Sequence, residues 1–266
     1  FENNLDYSEI EKDSQNGIEA FRIKKTSSDT FSSASDCSAE KINHFRSNET
    51  KTDILPSPVT ASIIIPVYNK WEYTQNCLET LYAVTDIQGE FEVIVVNNAS
   101  TYDTHGFLKK AAEKYSRLRY IKNEVNLGFA KACNQGAALS QGQYVIFLNN
   151  DTLPQSGWLD AMIKMAESDS RVGIVGSRLL YPDGTIQHAG VYFNEHGIPY
   201  HAFRSMPGDH QAVLTSRETP GVTGACLLMP KQLFQQIGGF NEDYHMYVED
   251  VDLCLRTWEA GFKVVY

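Results

Sequence analysis

Ser62-Ile63-Ile64-Ile65-Pro66-Val67 is the stretch that decides the fold. A short, continuous apolar run of this kind marks a strand buried on both faces, as parallel strands are. Downstream, Asn69 is placed to cap a helix in which Trp71, Leu78, Leu81 and Tyr82 share one face. Phe91-Glu92-Val93-Ile94-Val95-Val96 is a second buried strand, residues 104–115 a helix, and Leu118 to Lys122 a third strand. Residues 128–139 form a helix whose small face carries Ala130, Cys133, Ala137 and Ala138. Tyr144-Val145-Ile146-Phe147-Leu148 is a fourth strand, followed by a helix over 156–168. Strands alternating with helices in this way predict an α/β domain: a Rossmann-like, mostly parallel central sheet flanked by helices. Strands near 172–178, 190–193 and 222–229 and a helix near 249–260 predict a smaller, mixed second half.

Upstream of Val59 the texture differs. Residues 1–58 hold ten serines and eleven acids against seven bases, with a low-complexity run from Thr26 to Ser35. Such a segment buries too little apolar surface to offset its chain entropy. It reads as a linker or an extension from another module, with a weak helical pattern over 5–23, and Pro56 and Pro58 mark its boundary with a domain over 59–266. The chain of 266 residues carries a net charge of −10. That balance argues against nucleic acid and anionic membranes as surface partners, since both favour a basic face. No apolar run approaches the roughly 20 residues of a membrane helix. The five cysteines are widely spaced with no CxxC pair, and Cys77, Cys133 and Cys254, inside apolar helical patterns, read as small buried hydrophobes in a reducing, cytoplasmic compartment.

In an open α/β sheet, ligands bind outside the carboxyl ends of the strands. Here those ends read Val67-Tyr68-Asn69, Asn97-Asn98-Ala99-Ser100, Asn123 to Gly128, and Asn149-Asn150-Asp151. No GxGxxG or GxxxxGK[ST] accompanies them, which removes the usual dinucleotide and P-loop signatures. Asp151, after a buried strand and two amides, suits Mg²⁺ or Mn²⁺ held together with substrate phosphates, or alternatively makes an Asx turn. Glu242, Asp243, Glu249, Asp250 and Asp252 put five acids within eleven residues. Acids in a first helical turn favour the helix dipole. Packed like charges also raise one another's pKa, which is a way to tune a general base.

The order of "SIIIPVYN", "VIVVNNAS", "NLGFAKACNQG", "FLNND", "TGACLLMP", "GGFNEDY" and "VEDVDLCLR" resembles the family 2 glycosyltransferases of GT-A fold, and within them the bacterial rhamnosyltransferase-like branch, over about residues 59–266. The resemblance implies an inverting, metal-dependent transfer from a nucleoside diphosphate sugar to a glycan or lipid-linked acceptor hydroxyl. It implies work in the cytoplasm, peripheral to the inner face of a membrane. Pro66, Val67 and Tyr68 would line the nucleobase pocket. Asn97 and Asn98 stand where the family usually has an acid that bonds the base. Asn126, Gly128, Lys131 and Asn134 would approach the nucleotide-sugar. Asn149-Asn150-Asp151 takes the DxD position, with its first acid replaced, so Asp151 is the metal ligand. Glu249-Asp250 matches the ED pair, with Asp250 the base and Glu249 orienting it.

The same resemblance places a further metal-ligating histidine after the last strand, beyond Tyr266, so the domain reads as cut short there with an exposed, aggregation-prone edge strand. The 181–220 segment, rich in Gly, Pro and His, reads as a mobile loop over the site, and its histidines as mostly surface residues. Gly224-Ala225-Cys226 would shape a ligand wall. Gly238-Gly239 would either do the same or cap a helix. The competing class, kept open by the asparagines at 97 and 149, is a non-catalytic nucleotide-sugar or glycan-binding module.

Overall fold

The computed structural model describes residues 10–13, 20–23, 59–87, 89–244 and 247–266. The low-complexity run, Cys37 and His245 lie outside them. Two compact units are present, residues 1–56 with 195–198, and residues 57–194 with 199–266. In the first, β1 (Ile10–Asp13) and β2 (Ala20–Ile23) pair antiparallel, where the sequence suggested a weak helix.

In the second unit the chain runs β3 (Val59–Val67), α1 (Trp71–Val84), β4 (Glu90–Asn97), α2 (Tyr102–Lys114), β5 (Leu118–Lys122), α3 (Phe129–Leu139), β6 (Tyr144–Leu148), α4 (Trp158–Ser168) and β7 (Val172–Gly176). Short strands follow: β8 (Leu179–Leu180), β9 (Ile186–His188), β10 (Val191–Phe193) and β11 (Pro199–His201). The chain closes with β12 (Cys226–Pro230), α5 (Lys231–Gln236), α6 (Glu249–Glu259) and β13 (Lys263–Val265). Seven strands form one sheet in the order β13-β7-β12-β6-β3-β4-β5. Only β12 runs against its neighbours β6 and β7.

The alternation of side chains along β4 explains the three layers. Val93 and Val95 point into one core with Cys77, Leu78 and Leu81 of α1, Leu108 of α2 and Leu159 and Met162 of α4. Ile94 and Val96 point into the other, with Ala130, Cys133 and Ala137 of α3, Phe234 of α5 and Leu253 and Cys254 of α6. A strand with apolar residues on both faces can only be covered this way. The small face of α3 lets it lie close to β3: a Cβ on Gly136 would fall 2.4 Å from Ile64 Cγ2. Near the opposite end of the strands, the buried Glu92 carboxylate accepts from Ser62 Oγ at 2.7 Å, Gln141 N–H at 2.6 Å and Arg119 Nη2 at 2.6 Å.

Three expectations are corrected. Asn69 does not cap α1; its Oδ1 accepts the Thr101 N–H at 2.9 Å, and Lys70 stands at the cap without a side-chain bond. The 181–220 segment is not a plain loop, for β8 pairs with β9 and β10 with β11. The edge at β13 is covered. Thr219 N–H donates to Val264 O, while Arg217 and Tyr266 exchange two backbone bonds, leaving Val264 fully buried. Cys77, Cys133 and Cys254 are free and buried, as read from the sequence, and Cys226 is free and buried as well. Burial pushes the Cys77 thiol up to about 12 and the Cys226 thiol to about 11.

Candidate active site

The carboxyl ends of β3, β4 and β6 meet at one edge of the sheet, and the reversal of β12 brings its amino end there too. Cys226 pairs with Leu148, the last residue of β6. The residues before Cys226 were expected to extend the strand from 222. Instead their polar groups turn outward to three different elements. Thr223 N–H donates to His188 Nε2 at 3.4 Å, Gly224 N–H to Asp250 Oδ2 at 2.8 Å, and Ala225 C=O accepts the Asn149 N–H at 2.9 Å. Three consecutive residues therefore fix the Asn149-Asn150-Asp151 turn, the Glu249-Asp250 pair and a histidine in one register.

Asp250 sits in the first turn of α6. Tyr247 and Val248, just before it, adopt left-handed φ values of 70° and 60°, which is strained for a β-branched valine. Both Asp250 oxygens are held by backbone, Oδ2 by Gly224 and Oδ1 by the Val251 N–H at 2.8 Å. Among the described residues Glu249 makes no side-chain hydrogen bond to Asp250. Glu249 is 8% exposed, its Oε2 has no partner there, and burial, with the Asp250 charge adding to it, raises its pKa. The remaining acids separate. Asp252 pairs with Arg256 at 2.6 Å, and Glu242 Oε1 accepts from Asn134 Nδ2 at 3.0 Å. Asn134 also clamps Phe240 through two bonds, so it ties α3 to the acidic loop. Gly239, with φ of 70°, packs beneath that clamp: a Cβ there would fall 2.7 Å from Asn134 Oδ1.

Asp151 is exposed and its carboxylate makes no hydrogen bond among the described residues, while its charge reaches the buried Cys77. Asn149 O accepts Thr152 N–H and Oγ1, and Asn150 Nδ2 donates to Thr74 Oγ1 at 3.0 Å. The two asparagines thus anchor the turn and leave Asp151 as its open oxygen donor. Among the described residues no three His, Cys, Asp or Glu side chains form a metal cage.

The β4 end is more buried than the sequence suggested. Asn97 is fully buried; its Oδ1 accepts the Ser100 N–H at 2.9 Å and its Nδ2 has no partner among the described residues. Asn98 spends its whole amide internally, donating to Asn126 Oδ1 and Gly128 O and accepting from Asn123 Nδ2 and Leu127 N–H. It is the joint that fastens the 123–128 turn to β4. Val67 is buried, Pro66 half-buried, and Tyr68 is 55% exposed beside them, with its ring available for stacking. Lys131 is exposed and Asn126 stands exposed before it at the entrance of α3, with Gly128 at a left-handed φ of 83° between them.

Sequence reading missed His188 and His201. His188 on β9 is fully buried, its Nδ1 lies 2.9 Å from His201 Nδ1, and burial drives its pKa down to about 3. Two histidines thirteen residues apart in a Gly-Pro-rich segment carry no periodic signal; only the β9–β11 folding brings them together.

Comparison with known proteins agrees with this architecture. The family described as Glycosyl transferase family 2 matches residues 62–238, and one described as N-terminal domain of galactosyltransferase matches residues 212–266. The O-antigen biosynthesis protein RfbC of Myxococcus xanthus is 31% identical over 77% of the chain and 16% of its own length. The N-acetylglucosaminyl-diphospho-decaprenol L-rhamnosyltransferase of Mycobacterium tuberculosis is 27% identical over 81% of the chain and 74% of its own length. The chain spans less than a quarter of the length of the first curated relatives it matches. Among solved structures, the mannosyltransferase PcManGT of Pyrobaculum calidifontis, in complex with GDP-Man and Mn²⁺, superposes with a TM-score of 0.59 at 22% identity, over 80% of this chain and 56% of that one. The chain belongs to glycosyl transferase family 2 and has the GT-A fold.

Proposed function

We propose that the chain transfers a sugar, with inversion, from a nucleoside diphosphate sugar to a hydroxyl of a glycan or lipid-linked acceptor. The observation that carries this reading is the Thr223-Gly224-Ala225 strip, which sets a backbone-held carboxylate, Asp250, in register with the turn bearing the open carboxylate of Asp151. Inversion needs one base on the face opposite the leaving group and no covalent intermediate. Asp250, with its oxygens fixed by Gly224 and Val251, would take the acceptor's proton. Tyr68, Pro66 and Val67 would hold the nucleobase. Asn126, Gly128 and Lys131 would lie along the donor, with Asn98 and Asn134 holding the surrounding loops in place. Asn97 keeps a buried Nδ2, unpartnered among the described residues, at the base side.

A divalent cation, Mg²⁺ or Mn²⁺, fits the donor set: one exposed hard-oxygen carboxylate suits an ion that shares its shell with substrate phosphates. Held by Asp151, on the turn that Asn149 and Asn150 anchor, it would neutralise charge growing on the departing diphosphate. The Mn²⁺ in PcManGT supports divalent-ion use. Among the described residues no helix is long and apolar enough to cross a membrane.

A thermal-shift screen of nucleoside diphosphate sugars with and without Mn²⁺, followed by assay of nucleoside diphosphate release, tests the reading. Mn²⁺-dependent stabilisation with release supports it. Stabilisation without release, with or without a saccharide acceptor, supports the binding-module alternative.

A further inference from the structure

The His188–His201 pair is not used by the proposed chemistry, yet it is joined to it through adjacent backbone atoms. His188 Nε2 faces two donors, the Gly190 N–H at 3.3 Å and the Thr223 N–H at 3.4 Å. A nitrogen that accepts carries no proton, so the single proton of the neutral ring sits on Nδ1. That Nδ1–H points at His201 Nδ1, 2.9 Å away, and makes it the acceptor. His201 then keeps its own proton on Nε2. His188 is fully buried, whereas His201 is exposed on β11. The charged groups acting on the His201 ring are Asp250, which raises its pKa, and Arg204, which lowers it along with partial burial, the largest cause. The net effect lowers its pKa.

We infer that His201, locked by His188 as the Nε2–H tautomer, is a fixed hydrogen-bond donor that binds an oxygen of the acceptor saccharide beside Asp250. The inference rests on the transferase reading above. Because Nδ1 is occupied and Nε2 already bears hydrogen, His201 cannot serve as a second base; it can only donate. Thr223 and Gly224 are neighbours, so the histidine pair and Asp250 hang on successive N–H groups and hold their spacing together. His201 is a specificity-determining residue, and His188 positions it.

Two measurements test this. Long-range ¹H–¹⁵N spectra of the whole protein report the ring tautomers directly, with His201→Phe for assignment. His188 protonated on Nδ1 and His201 on Nε2 is the expected result; a proton on His201 Nδ1 overturns the lock. The same His201 signal is then followed while monosaccharides and a short-chain prenyl-diphospho-N-acetylglucosamine are added in the presence of donor and Mn²⁺. A saccharide that moves the signal should be glycosylated by His201→Phe with a transfer-to-hydrolysis ratio lower by roughly tenfold, the loss of one hydrogen bond, and His201→Gln should recover part of it. A signal that no saccharide moves, or a ratio unaltered in His201→Phe, while donor is still cleaved, overturns the His201 assignment alone. Absence of donor cleavage by the unaltered protein overturns the transferase reading and this inference with it.

Discussion

The Gly224 N–H and the Asp250 carboxylate lie 2.8 Å apart, and this bond joins the start of β12 to the start of α6 across 26 residues. Its partner on the other oxygen is the Val251 N–H. A carboxylate held by two amides is fixed in orientation without any other side chain. Asp250→Asn keeps one acceptor oxygen and turns an NH₂ toward the other amide. Turnover should fall by about 10²- to 10⁴-fold, the range for loss of a general base, with donor affinity retained. Donor binding by calorimetry beside initial rates separates the two; full transfer activity would refute the assignment.

Asp151 gives the opposite pattern. It is exposed and makes no internal bond among the described residues, so Asp151→Ala should alter stability by no more than about 0.5 kcal/mol. The Mn²⁺-dependent part of the thermal shift produced by a nucleoside diphosphate sugar should vanish. Removing metal from the unaltered protein with a chelator should reproduce that loss.

Asn98 predicts a structural effect in place of a ligand effect. Four internal bonds converge on its amide, and the residue is 5% exposed. Asn98→Ala strands several buried donors and acceptors and should cost about 3 kcal/mol in chemical denaturation. If stability is unaltered and only donor binding falls, Asn98 is a ligand contact after all.

Glu249 makes stability depend on pH. Its folded pKa is raised by burial above the ordinary carboxylate value. Between the unfolded and folded values the folded protein binds more protons, so this residue's contribution falls as pH rises through that window. Above it the buried carboxylate is a constant penalty. Glu249→Gln removes the titrating group, and its melting temperature should decline less than that of the unaltered protein between mildly acidic and neutral pH. Parallel slopes for the two proteins would contradict the burial argument.

Much of the fold was legible because its signals are local. The runs at 62–67, 91–96 and 144–148 can only be buried strands, and the small face of α3 announces a close approach that Gly136 makes against Ile64. Asp151 and Asp250 stood out because a carboxylate after a buried strand, or before an amphipathic helix, is visible in sequence. What stayed hidden depends on distant partners. An asparagine reads the same whether it meets a ligand or, like Asn98, closes bonds to residues 25 to 30 positions away. Residues 222–225 look like strand because their apolar pattern continues, but the amides of Thr223 and Gly224 are taken by His188 and Asp250 and not by a neighbouring strand. The edge at β13 looked bare because the backbone that covers it, Arg217 to Thr219, has no strand pattern of its own.

The chain leaves the sheet after β7 and returns at β12 on the neighbouring position, so residues 177–225 form an excursion whose two ends are pinned side by side by sheet register. Within it Ile186, Ala189 and Val213 are buried in the core and Arg217 to Thr219 cover β13, so change in length is accommodated at exposed turns such as Asp183-Gly184. In the proposed reading, the segment that carries His201 and the carboxylate of Asp250 meet at one strip of backbone, Thr223 and Gly224, so a shift of that strip moves both together.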